Sequence, residues 1–151
     1  MGNDGRAAKD GPVECRARVL VVDDEELVLR VFQRVLKEHD VVVELNARAA
    51  LARLNRSERF DVIFCDVSVL VTGGRDVFEA LCALDPAIAG RVVGVSGDPD
   101  SPGAQELTTR LGSAVLLKPF EHHVLRAIVA ECVARRTRPA PVATVAEHTS
   151  T

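Results

Sequence analysis

Tryptophan and tyrosine are absent from this chain of 151 residues, and its only aromatics are five phenylalanines. The core must therefore be largely aliphatic. A basic excess is also missing: 19 Lys and Arg stand against 22 Asp and Glu, for a net charge of −3. A protein that grips nucleic acid through its phosphates carries the opposite balance, so no direct nucleic-acid binding is expected. No apolar run nears the roughly 18 residues of a membrane span, which argues against membrane insertion. Met1 to Gly11 is polar and glycine-rich, without the apolar segment of a signal peptide, and a cytoplasmic location is expected. Cys15, Cys65, Cys82 and Cys132 form no CxxC pair, so neither a zinc site nor a disulfide framework is indicated. Cys65 and Cys132 fall in apolar patterns and should pack as small hydrophobes. His122 and His123 are adjacent and point about 100° apart on a helix, so they cannot share a ligand face. No GxxxxGK[ST] stretch occurs, which excludes a P-loop enzyme.

What the chain does have is 47% apolar residues, enough for the core of one domain. They are laid out as alternating strand and helix patterns. Arg18-Val-Leu-Val-Val22 is a β-branched run that stops at Asp23-Asp24, as a strand buried on both faces would. Leu27, Val28, Val31, Phe32, Val35 and Leu36 follow at helical spacing. Val41 to Leu45 predicts a second strand, and Asn46 is placed to cap a helix through Ala50, Leu51 and Leu54. Asp61-Val-Ile-Phe-Cys-Asp66 is a third strand. Gly73-Gly74 then break the chain ahead of a helix bearing Val77, Leu81 and Leu84.

Arg91 to Val95 predicts a fourth strand, and Ser101-Pro102 an N-cap followed by proline at the first helical position of a helix running to Leu111-Gly112. Ala114 to Leu117 is a fifth strand. The last helix carries Val124, Ile128 and Cys132 on one track, with Leu125, Val129 and Val133 beside it. Five strands alternating with five helices imply an α/β fold, a five-stranded parallel sheet with helices on both faces. Residues 1–15 read as a flexible extension, 16–136 as the folded domain, and 137–151 as a flexible tail or linker.

In an open parallel sheet the chemistry lies beyond the carboxyl ends of the strands. Asp23 and Asp24 follow strand one, Asp66 ends strand three, Ser96 follows strand four and Lys118 follows strand five. Two carboxylates about 4 Å apart repel by roughly 4 kcal/mol at an effective dielectric near 20. Three carboxylates with one ammonium therefore need a proton or a cation. A small set of oxygen ligands favours Mg²⁺, which commonly joins a carboxylate to a phosphoryl oxygen. Lys118 can neutralise a second phosphoryl oxygen and Ser96 can donate to a third. Asp66, on the middle of the acid-bearing loops, is the natural nucleophile, forming an acyl phosphate.

Val21-Val22-Asp23-Asp24-Glu25, Asp61-Val-Ile-Phe-Cys-Asp66 and Leu117-Lys118-Pro119-Phe120 resemble the three signature stretches of the response-regulator receiver domain of two-component signal transduction. The resemblance spans about Arg16 to Arg135. Its intervals are 42 residues from Asp24 to Asp66, 30 on to Ser96 and 22 on to Lys118. It implies a flavodoxin-like (βα)5 receiver fold with Asp66 as phosphoacceptor. Asp24 would bind Mg²⁺ directly with Asp66 and the backbone carbonyl of Ser68, and Asp23 largely through water. Ser96 matches the switch hydroxyl, Lys118 the phosphate-binding lysine, and the Lys118–Pro119 bond would be cis. Gly74 matches the glycine closing the loop after the acceptor, while Ser68 and Asp98 match variable positions that tune phosphoryl lifetime.

The chain departs from the family pattern at Leu70, where proline is usual, and at Gly73, where an acid is common. Val115 stands where many receivers carry Tyr or Phe, and its stiff, compact side chain cannot make the usual ring movement. The implied partners are a sensor histidine kinase or phosphotransfer protein and a downstream protein target. The chain is expected to be a phosphoacceptor, assisting its own phosphoryl transfer and dephosphorylation, and no enzyme in the ordinary sense. The alternative is a receiver-like docking module that works without phosphorylation. A DNA-binding output domain would need some 60 further residues. A single-domain regulator and the receiver of a hybrid histidine kinase both suit the sequence. A flavin protein does not, for want of a phosphate loop rich in glycine and hydroxyls after strand one and of an aromatic to stack on the ring.

Overall fold

The computed structural model describes residues 16–72, 83, 86–102, 104, 105, 109 and 115–137. Five strands carry the architecture: β1 (Arg18–Val22), β2 (Asp40–Glu44), β3 (Val62–Asp66), β4 (Val92–Ser96) and β5 (Val115–Leu117). All are parallel, in the order β2-β1-β3-β4-β5. The helices described in full are α1 (Glu26–Val35), α2 (Ala47–Asn55), α3 (Val67–Thr72) and α4 (His122–Thr137), with a 3-10 helix at Pro86–Arg91. The expected extension 1–15, the helix bearing Val77, Leu81 and Leu84, Gly73, Gly74 and the tail from 138 lie outside the described residues. Among the described residues no helix is long and apolar enough to cross a membrane.

Successive side chains of a strand point to opposite faces, and β1 and β3 show what that does in a sheet covered on both sides. Val19, Val21, Val62 and Phe64 join α1 and α4 in one core through Leu29, Phe32, Leu125 and Val129. Leu20, Val22, Ile63 and Cys65 join α2 in the other through Ala50 and Leu54. At roughly 1.5–3 kcal/mol per fully buried large aliphatic side chain, each face contributes far more than the strand hydrogen bonds do net. Cys65 and Cys132 are buried free thiols in these two cores.

Asn46 caps α2 as expected, its Oδ1 accepting the Ala49 N–H at 2.9 Å. Ser101 does the same for the helical turn at Pro102, its Oγ accepting the Ala104 N–H at 3.2 Å. Other expectations shift. Strand β2 runs 40–44 rather than 41–45, and Leu45 is 44% exposed. On α1 the buried stripe is Leu29, Phe32 and Val35, while Leu27 is 72% exposed. The segment holds apolar residues on two overlapping helical tracks, and spacing cannot say which one faces the sheet.

A further difference bears on the site. The segment directly after Asp66 is helical, α3, where a loop is expected. Position 70 holds leucine, which keeps the backbone N–H that proline lacks, and no Gly or Pro interrupts 67–72.

Candidate functional site

The parallel register decides which strand ends meet. Val22 pairs with Cys65, so the next step along β1 and β3 brings Asp23 beside Asp66. This is the switch point of the sheet, where the chain leaves β1 outward for β2 and returns to the other side for β3. On the far side Asp66 pairs with Val95, and Ser96 with Leu117, which sets Lys118 just beyond the end of β4. The Lys118 N–H donates to the Ser96 carbonyl at 2.8 Å. The bond from Lys118 to Pro119 is cis, as the resemblance implies. Phe120 packs against the buried Phe32, ring centres 5.2 Å apart, and Phe32 against Phe64 at 5.0 Å. Those contacts anchor the lysine segment to the core.

Asp23, Asp24 and Asp66 each offer a carboxylate oxygen, all within 4.8 Å of one another. Lys118 Nζ lies 3.2 Å from Asp23 Oδ2, 3.5 Å from Asp66 Oδ1 and 3.8 Å from Glu25 Oε1. Glu25 is the participant that strand-end reasoning missed. Its place one residue beyond the Asp pair was the available signal. Asp23 is 1% exposed. Its Oδ1 accepts the Glu25 N–H at 2.9 Å, whereas Oδ2 accepts no hydrogen bond among the described residues and makes the ion-pair contact with Lys118. Burial pushes the Asp23 carboxyl pKa up, and the charge of Asp66 adds to this; the Glu25 N–H and Lys118 pull it down without cancelling the rise. Burial also disfavours charge on Lys118, but Asp23, Asp66 and Glu25 together outweigh it and hold the ammonium above its ordinary pKa. Cys65 lies just below. Burial pushes its thiol up, so it adds no charge.

Ser68 and Ser96 stand differently from the expectation. Ser68, in the first turn of α3, donates from Oγ to Asp66 Oδ2. The hydroxyl thus reaches the Asp66 carboxylate, a contact not foreseen beside the expected carbonyl ligand. Ser96 Oγ turns into its own loop, donating to the Asp98 carbonyl at 2.9 Å and accepting the Asp98 N–H at 3.0 Å. It nevertheless lines the same cleft of about 670 Å³ as Asp24, Asp66, Ser68 and Lys118. Val115 is partly buried and packs against the core on the α2 side.

The donor set fits a small hard cation. Three carboxylates converge, their excess negative charge is met by one ammonium, and a buried carboxylate oxygen lacks a hydrogen bond. Oxygen-only ligands of this kind suit Mg²⁺.

A doubly wound α/β sheet with an acid cluster and a lysine at its switch point is a fold of the flavodoxin type. The family model of the response regulator receiver domain matches residues 19–130, and the chain belongs to that family. Receiver domains of two-component response regulators serve phosphorylation-dependent signalling, generally bind Mg²⁺ at an acidic pocket, and interact with histidine kinases or phosphotransfer proteins and with downstream targets. Solved structures agree on the fold. The chemotaxis response regulator CheY4 of Vibrio cholerae superposes with TM-score 0.63 at 24% identity, over 78% of this chain and 98% of that one. A CheY-like receiver domain protein from Methanospirillum hungatei gives 0.68 at 22%, over 81% and 97%. The receiver domain of the Francisella response regulator 1452 gives 0.65 at 25%, over 82% and 100%. No curated protein matches the chain significantly.

Proposed function

We propose that Asp66 accepts a phosphoryl group from a phosphohistidine of a sensor histidine kinase or phosphotransfer protein, and that the acyl phosphate alters affinity for a downstream protein. The observation that carries this reading is the convergence of three carboxylates within 4.8 Å, with Lys118 Nζ 3.5 Å from Asp66 Oδ1. A carboxylate oxygen of Asp66 attacks phosphorus in line with the P–N bond. The P–O bond forms as the P–N bond breaks, and the electron pair stays on the imidazole nitrogen, which takes up a proton. Lys118 neutralises charge on the transferring oxygens. Asp23, Asp24 and Asp66, with the Ser68 carbonyl, would hold Mg²⁺, which when bound supplies positive charge against the clustered carboxylates and the phosphoryl group.

Signalling onward rests on Ser96. To donate to a phosphoryl oxygen it must give up its hydroxyl bond to the Asp98 carbonyl, so phosphorylation of Asp66 and the shape of the loop from Gly97 to Ser101 are coupled. A stiff Val115 leaves that loop as the carrier of the change. Water returns the chain to its starting state by hydrolysing the acyl phosphate, so no separate substrate is turned over. The receiver unit is taken as residues 16–136, and the buried free thiols accord with a reducing, cytoplasmic setting.

The test is incubation of the full chain with Mg²⁺ and acetyl phosphate, followed by intact-mass measurement. The wild type should gain one phosphoryl group and Asp66→Asn none. No adduct on the wild type, or one that survives Asp66→Asn, would leave the phosphorylation-independent docking module as the better reading. Asp24→Ala should weaken Mg²⁺ binding at least about tenfold, since a lost carboxylate ligand is worth at least the 1.4 kcal/mol of one decade; unchanged affinity would remove Asp24 from the site.

A further inference from the structure

The other edge of the sheet holds a second concave site, of opposite sign. Arg18 opens β1, Asp61 precedes β3 and Arg91 precedes β4, so all three lie at the amino ends of strands. The length of β1 alone separates them from the acid cluster by about 16 Å at strand rise. Ser57, with a φ of 69°, ends α2 in the left-handed conformation common past a helix terminus and leads the chain into Arg59 and Phe60. The last turns of α4 bring Cys132 and Arg135 over the same edge. Arg18, Arg59, Phe60, Asp61, Arg91 and Arg135 line a cavity of about 540 Å³.

Its described lining carries four arginines and one carboxylate. Arg18 is engaged, 3.0 Å from Glu58 and 3.6 Å from Asp40, with its guanidinium 4.6 Å from the centre of the Phe60 ring. Asp61, the only carboxylate among the described lining residues, accepts the Arg18 backbone N–H at 2.8 Å. Among the described residues Arg59 and Arg135 meet no carboxylate. Among the described residues Arg135 donates to the Gly90 carbonyl and to Cys132 Sγ, each at 3.5 Å. Four guanidiniums thus surround one cavity on a protein whose net charge is −3. Guanidinium presents a planar fork of donors matched to phosphate and keeps its charge at any ordinary pH. The volume lies in the range of small-molecule sites, roughly 300–1,000 Å³, and its concavity favours a compact anion over an extended acidic chain.

We propose that this cavity binds a small phosphate-bearing anion, gripped by Arg59 and Arg135 and supported by Arg91 and the outer edge of Arg18. The site is distinct from the acid cleft and does not depend on Asp66. Isothermal titration of the full chain with inorganic pyrophosphate, in low-salt buffer with EDTA, tests it, because chelation keeps divalent ions out of the acid cluster. The expected result is saturable one-site binding. It should weaken about tenfold in Arg59→Gln and in Arg135→Gln, about a hundredfold in the double variant, and stay unchanged in Asp66→Asn. Both arginines are exposed, so the variants should fold, which circular dichroism checks; Arg59→Lys and Arg135→Lys, keeping charge but losing the fork, should give smaller losses. ADP binding more tightly than pyrophosphate would assign a nucleotide, and equal affinity the pyrophosphoryl group alone. Absence of saturable binding by either, undiminished affinity in the double variant, or binding of a polyglutamate peptide in place of both would overturn the proposal.

Discussion

Asp23→Asn isolates the electrostatics of the acid cluster, because it deletes a charge and keeps the shape. Asn Oδ1 can still accept the Glu25 N–H that Asp23 accepts at 2.9 Å, and Lys118 keeps Asp66 and Glu25 as partners. At an effective dielectric near 20, the attraction of Asp23 to Lys118 at 3.2 Å is about 5 kcal/mol. Repulsion from Asp66 within 4.8 Å is at least about 3 kcal/mol, and Asp24, being exposed, adds about 1 more. These nearly cancel. What remains is the cost of burying a carboxylate that is 1% exposed, several kcal/mol for an isolated ion and less for one holding a backbone N–H.

Asp23→Asn is therefore expected to stabilise the metal-free protein by about 1–3 kcal/mol at neutral pH, raising Tm by several degrees at about 2–4 °C per kcal/mol. Urea unfolding in EDTA at low salt measures it. The sign of the pH dependence follows from the raised folded-state pKa. Between the ordinary value of 3.8 and that higher pKa the folded state binds more protons than the unfolded state, so the wild type loses stability as pH rises through this window. The gap between variant and wild type should open across the same window and be near zero below pH 3.8. Adding Mg²⁺ should close or reverse it by stabilising the wild type alone. A variant less stable than the wild type in EDTA at pH 7 would refute the reasoning.

Two further expectations concern the lysine and the fold. Lys118→Met should slow phosphorylation from acetyl phosphate by about 100-fold, the usual cost of one lost charge-stabilising donor. Mg²⁺ affinity should hold or tighten, because the competing ammonium is gone; a fall in both would mean the lysine serves structure. Asn46→Ala should cost about 1 kcal/mol of stability in urea titrations, with the phosphoryl adduct unaffected, since the Asn46 side chain bonds the Ala49 N–H of its own helix.

Much of this protein is written locally. The β-branched runs ending in Asp23, Asp66 and Lys118, the Asn46 and Ser101 caps, and the spacing from acid to acid to hydroxyl to lysine depend on neighbours a few residues apart, and they named the strand ends where the cleft forms. The five-stranded parallel sheet followed from alternation alone. Tertiary structure decided the rest. Which track of α1 is buried depends on how the helix rolls onto β1 and β3, and that put Leu29 inside and Leu27 outside. Whether Ser96 faces its own loop or the acids, and whether Ser68 meets Asp66 by hydroxyl or carbonyl, are rotamer and turn choices with several local solutions. The arginine cavity joins residues from 18 to 135, and no local rule relates them. Periodicity and capping are short-range and legible in order along the chain, whereas charge balance in a cleft depends on distances between segments that only folding brings together.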